Sequence, residues 1–265
     1  MGCKNNSDIF NLLQLEISHS GHVFLDATWQ CINARNPFSR LYYVKSGNGF
    51  LQSGSETTKM RGGYVYLIPA DCEFSSGCEE LEKIFFHISV TVPDQYDLFS
   101  KVGRVCSLPF SEEDYTTLLK CYLSGNYLDM LKMKMIIYQT IVSFADTYQF
   151  KRFPTKQYSD MVQKALIFIQ QNTRINLSAT QIATQQFVSE SKLRKAFQDE
   201  TGIPIGKYID NLVYFKAKQM LGKKHLTIGD ISNSLGFCDQ FYFSRRFKEK
   251  CGLTPSEFRR SLLLP

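Results

Sequence analysis

Two short segments in the last third of the chain carry polar and basic side chains at the spacing of an exposed helix face. The first contains Ser191, Arg194 and Lys195. The second contains Gln240, Phe241, Tyr242, Ser244, Arg245 and Arg246. Arginine and glutamine can form bidentate hydrogen bonds with guanine and adenine edges, an aromatic ring can contact a thymine methyl, and lysine or arginine can neutralise phosphate. These residue types therefore indicate contacts with the bases and backbone of DNA.

A second group of residues, in the first third of the chain, is typical of a small-molecule site. Trp29, the only tryptophan, lies in the sequence near Arg35, Tyr42 and Tyr43. Together they offer an aromatic face and a guanidinium for a hydroxylated or anionic ligand, with His87 as a further pocket residue. In the alternative interpretation, Trp29 and His87 belong to an ordinary core and Arg35 is a surface charge.

Metal and catalytic chemistry have little support in the sequence. The four histidines include one close pair, His19 and His22, and on a strand this spacing places the two rings on opposite faces. The Gly-x-x-x-x-Gly-Lys-Ser/Thr, Gly-x-Ser-x-Gly and His-Glu-x-x-His motifs do not occur. We therefore expect no metal site, no catalytic residue and no cofactor.

Strand patterns dominate residues 41–90. Residues 41–45 are rich in β-formers, and the Asn-Gly pair within 46–49 predicts a tight turn before the pattern resumes at 50–51, which together indicate a hairpin. Further strands are predicted at 64–68 and 84–90. Short strands with glycine-rich turns are typical of a small sandwich or barrel, whose mouth can hold a ligand.

Two helices are predicted after the strands, at 111–123 and 127–148. The second has an apolar stripe at three- and four-residue steps. Its members are Met130, Met133, Ile137, Ile141, Phe144 and Tyr148. Two interpretations stay open: the stripe packs on the strands of its own domain, or it forms a dimer seam.

Charge divides the chain into two parts at Thr155. Residues 1–155 contain 14 Lys and Arg against 16 Asp and Glu, whereas residues 156–265 contain 17 against 9, a net charge of +8. An excess of this size favours a polyanionic partner, although a solvated basic surface gives the same count. We predict two domains with this boundary. The chain shows no apolar run of the length that spans a membrane and no signal-peptide pattern, so we expect a cytoplasmic protein without a membrane partner.

An internal repeat with an offset of 50 residues organises the C-terminal part. The pattern from Ser189 to Phe197 matches that from Asp239 to Phe247, and both copies end at a glycine that can stop a helix. A short helix is predicted before each copy, at 178–183 and 228–232. Each pair therefore predicts a helix-turn-helix unit, whose second helix fits a DNA major groove.

A longer helix is predicted between the two units, from Pro204 to about Leu221. Its 17 residues correspond to about 26 Å. Two recognition helices on one side of B-DNA must lie about one turn, roughly 34 Å, apart. This helix is a suitable spacer for a monomer that contacts two successive major grooves.

The second unit carries the motif that resembles a known family. Residues 231–259 have the pattern I-S-x-x-L-G-F-x-D-Q-x-Y-F-S-R-x-F-K-x-x-x-G-x-T-P-S-x-F-R, which is similar to the signature of AraC/XylS-type transcription regulators. The resemblance extends over 159–262, and 42–87 is more weakly similar to the cupin-like domain of the arabinose-responsive branch. Three positions depart from the family pattern: Ser232 replaces the usual Ala, Gly229 lies in a short helix, and Val213 occupies a place where Arg is expected.

The resemblance implies an α+β protein with a cupin-like β-barrel and two helices in 1–155 and a double helix-turn-helix domain in 156–265. It implies a homodimeric activator that binds promoter DNA, contacts RNA polymerase and responds to a small-molecule effector, frequently a sugar. A virulence-type regulator that responds to a protein or to no effector is the alternative, and a cupin-type enzyme with a DNA-binding appendage is a third hypothesis.

Overall fold

The computed structural model describes residues 14–91, 97–149, 158–223 and 225–262. These residues fall into two compact units. One unit comprises 16–89 and 99–149, and the other comprises 158–262 with short pieces at 14–15, 90–91 and 97–98. Within the described residues, every helix is too short or too polar to cross a lipid bilayer.

The first unit is built on a seven-stranded sheet. Its strands are β1 (Gln14–Asp26), β2 (Gln30–Ala34), β3 (Ser39–Ser53), β4 (Glu56–Arg61), β5 (Tyr64–Ile68), β6 (Phe74–Thr91) and β7 (Cys106–Pro109). The order is β1-β6-β3-β5-β7, with β2 also paired to β6 and β4 to β3. Strands β3 to β7 pair antiparallel with their neighbours, so this sheet and the helical second unit confirm the α+β class.

The predicted hairpin turn at 46–49 is wrong. Strand β3 continues through this segment without a chain reversal and stays paired with β6. The register shifts between Val44 and Ser46 and again between Asn48 and Gly49, so the segment contains β-bulges. Gly47 has φ 96° and lies so close to the Glu80 backbone that a β-carbon would overlap it. The glycines thus allow the strand to bend against β6, and the chain reverses later, at Gly54.

Two helices follow the sheet, as predicted: α1 (Glu112–Ser124) and α2 (Tyr127–Thr147). Ser111 and Asn126 cap their first turns through side-chain oxygens. In α2, Ile137, Ile141 and Phe144 are buried. The middle of the apolar stripe therefore packs within its own unit, whereas Met130, at its start, is 42% exposed. The Tyr148 hydroxyl secures the end of α2 by donating to the Ser107 carbonyl of β7 at 2.8 Å.

Residues 158–262, the main part of the second unit, contain only helices among their described elements. They are α3 (Asp160–Gln171), α4 (Ala179–Gln185), α5 (Glu190–Thr201), α6 (Ile205–Leu221), α7 (Ile228–Ser234), α8 (Gln240–Cys251) and α9 (Pro255–Leu262). The two predicted helix-turn-helix pairs are α4–α5 and α7–α8, and the predicted linker is α6, with 17 residues. Gly202 and Gly252 end α5 and α8 in the left-handed conformation, as the repeat indicated.

Candidate nucleic-acid interface

The first helix-turn-helix unit is fixed by local hydrogen bonds at both of its helix starts. Ser178 and Gln181 form a capping box on α4, and Ser189 accepts a hydrogen bond from the Lys192 amide on α5. The turn between them includes Phe187, which has φ 55° and is 97% exposed. A large side chain in this conformation stores backbone strain in the turn.

The second helix-turn-helix unit, α7–α8, repeats this design with one additional residue in the turn. Thr227 and Asp230 form the capping box of α7, and Asp239 accepts from two amides at the start of α8. Gly236 provides the positive φ of 76° in this turn, and a β-carbon there would lie 3.2 Å from Arg174. The two turns therefore differ in length and in the residue that takes the left-handed conformation.

The inner faces of α5 and α8 are buried. Leu193 and Phe197 are fully buried in α5, as are Phe243 and Phe247 in α8. The outer faces are polar, and the predicted DNA-contact residues lie on them. Exposed among these are Ser191, Arg194, Lys195, Gln240, Phe241 and Arg245, while Tyr242, Ser244 and Arg246 are half-buried. Each helix thus presents its basic face away from the core, as a recognition helix must.

The linker helix α6 packs against both helix-turn-helix units. Tyr208, near its start, lies edge-on to Phe197 of α5, with 5.4 Å between ring centres. Tyr214, half-way along, lies 6.3 Å from the Phe247 ring of α8. Val213, at the position where the family pattern suggests arginine, is fully buried. The linker is therefore part of a continuous core and holds α5 and α8 in a fixed arrangement.

Arg194 is restrained by a carboxylate on its own helix. Its Nε lies 2.6 Å from Glu190 Oε1, and the other Glu190 oxygen accepts a 2.6 Å hydrogen bond from the Thr180 hydroxyl of α4. The Thr180 and Arg194 hydrogen bonds hold the pKa of Glu190 below its usual value. Glu190 thus links α4 to α5 in the first helix-turn-helix unit and orients Arg194, a predicted DNA contact.

The two adjacent arginines of α8 have different surroundings. Arg245 is exposed, and its guanidinium lies 5.5 Å from the centre of the Tyr242 ring. Arg246 is half-buried and donates to Glu249 at 3.1 Å. Tyr214, followed by the Glu249 hydrogen bond, raises the pKa of Arg246. Arg245 is therefore available to an external ligand, whereas Arg246 is engaged within the protein.

The predicted ligand residues of the first unit are not all brought together. Trp29 and Tyr42 are buried in one cluster, and His87 lies on the same face of the sheet as Tyr42. Tyr43 points to the other face, where its hydroxyl donates to Thr140 of α2 at 3.0 Å. Arg35 is exposed between β2 and β3. Tyr43 and Arg35 therefore stand apart from the other three.

Two cationic residues that no sequence pattern singled out lie in the interior instead. Arg40 and Lys83 are 5% and 3% exposed. They lie on the face of the sheet that carries Tyr42 and His87, since Arg40 pairs with His87 and Val44 with Lys83 across β3 and β6. The sequence does contain a signal for this, because residues an even number of positions apart in a strand lie on the same face of the sheet. Arg40 is two residues from Tyr42, and Lys83 is four residues from His87, and both of these aromatic residues were assigned to the interior.

Three of the four histidines are engaged in other contacts. His22 Nε2 lies 3.0 Å from Glu82 Oε1, and the His19 ring packs on Phe85. His87 stacks on Phe38, with 4.7 Å between ring centres. Among the described residues, no three His, Cys, Asp or Glu side chains are grouped so that they could hold a metal ion.

Comparison with known families and proteins places the similarity mainly in the second unit. A family described as "Helix-turn-helix domain" matches residues 182–261. The arabinose operon regulatory protein of Escherichia coli K12 is 33% identical over 32% of this chain and 29% of its own. The transcriptional activator RhaR of the same strain is 39% identical over 27% of this chain and 25% of its own.

Two further similarities extend over nearly the whole chain. The Msm operon regulatory protein of Streptococcus mutans is 23% identical over 97% of this chain and 96% of its own. Among solved structures, ToxT from Vibrio cholerae matches with a TM-score of 0.50 and 15% identity, over 92% of this chain and 98% of that one. At this identity the structural match concerns the fold, and it includes both units.

Proposed function

We propose that this chain, a transcription regulator whose residues 182–261 form an AraC-type helix-turn-helix domain, binds specific promoter DNA through α5 and α8. The AraC/XylS resemblance of the sequence is confirmed by these matches, and the matched proteins are named as regulators rather than enzymes. The observation that carries the proposal is the pairing of two capped helices that bury their apolar faces in one core and expose basic faces. That is the arrangement required to read bases in a major groove.

We assign base contacts to the residues that are exposed on α5 and α8. Arg194 and Arg245 have the guanidinium geometry for guanine, Gln240 can pair with adenine, and Phe241, 77% exposed, can contact a thymine methyl. Lys195 is suited to phosphate. Because Arg246 is engaged by Glu249, it ranks below Arg245 as a base contact.

The test is selection of binding sites from random duplex DNA with the full chain. We expect enriched sequences with two conserved blocks whose centres lie about 10 base pairs apart, one for each recognition helix. Enrichment of a single block would remove one helix from the interface. No enrichment over non-specific binding would overturn the proposal.

The first unit supports the proposal that residues 1–155 form a cupin-like effector and dimerisation domain, with 156–265 as the DNA-binding domain. Its interior brings Trp29, Tyr42 and His87 to one face of the sheet. An aromatic-lined interior with a few polar groups is suited to a small metabolite. One relative is named for the arabinose operon, which makes carbohydrates the first compounds to test.

A face of α2 supports homodimer formation. Its exposed apolar residues follow alternating three- and four-residue steps, the spacing of a coiled-coil seam. They are Leu128, Leu131, Met135, Tyr138 and Val142. We propose that two copies pack along this face. Sedimentation of a Met135→Glu variant should give a monomer, while Thr147→Glu, at an exposed position of α2 outside the seam, should leave the dimer intact; a dimeric Met135→Glu protein would exclude this seam.

The direction of control belongs to the same proposal. RhaR is named as an activator, and we propose activation through contact with RNA polymerase for this chain. Transcription from a selected promoter in a purified system should rise when the protein is added. Repression there would reverse the assignment without affecting DNA binding.

A further inference from the structure

The interior of the first unit contains two positive side chains. Arg40, in β3, and Lys83, in β6, are 5% and 3% exposed. Lysine and arginine are almost never buried to this extent without a charged partner. Their positions on paired strands place both on one face of the sheet.

Aromatic rings surround both charges. The Lys83 ammonium lies 3.5 Å from the centre of the Tyr42 ring and 4.0 Å from that of Trp29. The Arg40 guanidinium lies 4.9 Å from the ring centres of both Phe38 and Phe74. Cation–π attraction offsets part of the cost of burying a charge, about 2 kcal/mol at a desolvated site.

No carboxylate in the described part of the chain pairs with either cation. The neighbouring Glu82 belongs to the opposite side of β6, where it contacts His22 and Lys45. Burial, followed by the charge of Arg40, holds the pKa of Lys83 well below its ordinary value. The interior therefore holds two cationic side chains without a counter-charge, and for Lys83 this favours the neutral amine; an anion beside it would restore the ammonium.

We propose that this interior is an anion-binding site, in which Arg40 and Lys83 together hold the carboxylate or phosphate group of a small organic ligand. This inference rests on the proposed effector role of the first unit and specifies the chemical class of the effector. The planar guanidinium can bind two oxygens of such a group, and the ammonium adds a compact charge. Trp29 and Tyr42 flank the Lys83 ammonium and would lie beside the bound group.

An anionic ligand explains the interior better than a neutral one. A neutral sugar could accept hydrogen bonds from Arg40, but it would supply no counter-charge to either cationic side chain. An anion supplies the missing charge inside the site, where electrostatic attraction is stronger than in water. A sugar acid or a sugar phosphate combines this charge with a body suited to aromatic stacking.

The site has its own spectroscopic reporter, because Trp29 is the only tryptophan of the chain. We would follow its fluorescence in the full-length protein during titration with inorganic phosphate, galacturonate, galactose 6-phosphate and galactose, at constant ionic strength set with chloride. We expect a saturable change with the three anions. Comparing the affinities for galacturonate and galactose 6-phosphate shows whether the site prefers a carboxylate or a phosphate.

Three variants identify the residues responsible. Arg40→Met and Lys83→Met remove one charge each at similar volume, and Lys59→Met removes an exposed lysine of β4 as the matched control. In the first two variants we expect the dissociation constant for the anion to rise about tenfold or more, equivalent to the loss of one charged hydrogen bond. In the third we expect the wild-type dissociation constant. Without ligand, Arg40→Met and Lys83→Met should melt at or above the wild-type temperature, because each relieves a buried charge.

Several outcomes would overturn the anion site. Among them are equal anion responses in the wild type and both interior variants, no response to any of the three anions, or a clear fall in melting temperature without ligand for Lys83→Met. If galactose alone changes the Trp29 fluorescence, the anion site is wrong and the effector proposal stands. If no effector class bound to the first unit alters promoter binding, the effector proposal itself fails.

Discussion

Arg194 donates to the Glu190 carboxylate across one turn of α5, with 2.6 Å between Nε and Oε1. The same carboxylate accepts from Thr180 of α4. One side chain therefore connects the packing of the helix-turn-helix unit to the orientation of a residue proposed to contact DNA. Such a contact is prearranged before DNA is bound, which lowers the conformational cost of binding.

Replacing Glu190 separates these two roles. Glu190→Gln should free Arg194 for a phosphate and remove a negative charge from the interface, so non-specific DNA affinity should rise and the salt slope should steepen by up to about one. Thr180→Val, which breaks only the link to α4, should leave the salt slope unchanged. Binding isotherms at several salt concentrations measure both; an unchanged slope in Glu190→Gln would show that Arg194 takes no part.

The adjacent arginines of α8 should differ in effect. Arg245→Ala should weaken specific promoter binding by about 1–3 kcal/mol and relax the preference at one base pair. Arg246→Ala should affect promoter binding less, because Glu249 and Tyr214 engage its guanidinium. Gel shifts with the selected site provide the comparison. Equal losses for the two variants would contradict the assignment.

Ser232 is a buried hydroxyl of α7 that finds no hydrogen-bond partner in the described structure. Burying an unpaired hydroxyl costs about 1–3 kcal/mol, so Ser232→Ala should raise the free energy of unfolding by about 1 kcal/mol. Ser234→Ala, at an exposed position of the same helix, controls for helix propensity. Urea denaturation gives the difference between them, and a destabilised Ser232→Ala protein would refute the prediction.

His87 should make the first unit sensitive to acid. Burial, followed by the charges of Arg40, His19 and Lys83, lowers its pKa from 6.5 to about 2. The unfolded state then binds a proton below pH 6.5 and the folded state does not, so stability is full above this pH and is lost as the pH falls toward 2. Between pH 7.5 and 5.5 the loss should be about 1.4 kcal/mol greater in the wild type than in His87→Phe. Parallel pH dependences in urea denaturation would exclude this role.

Local patterns in the sequence predicted those elements whose determinants are local. The helix-turn-helix repeat, its Ser189 and Asp239 caps and its terminal glycines follow from hydrogen bonds within a few residues and from a 3.6-residue period. The Asn48-Gly49 pair led to the wrong prediction of a hairpin turn, because a glycine allows either a turn or a β-bulge. The choice was made by the approach of β6, a strand about 30 residues away.

By itself, the sequence determined the basic second unit, the two exposed polar helix faces and the 17-residue linker, because periodicity and capping depend on residues that are close in the sequence. Only the tertiary structure decided the interior of the first unit. Arg35 is exposed in the connection between β2 and β3, whereas Arg40, a few residues later, is buried because the pairing of β3 with β6 turns its side chain to the face that carries Tyr42. The same pairing brought Lys83 to Trp29 and Tyr42, a juxtaposition of three strand regions that no local pattern records.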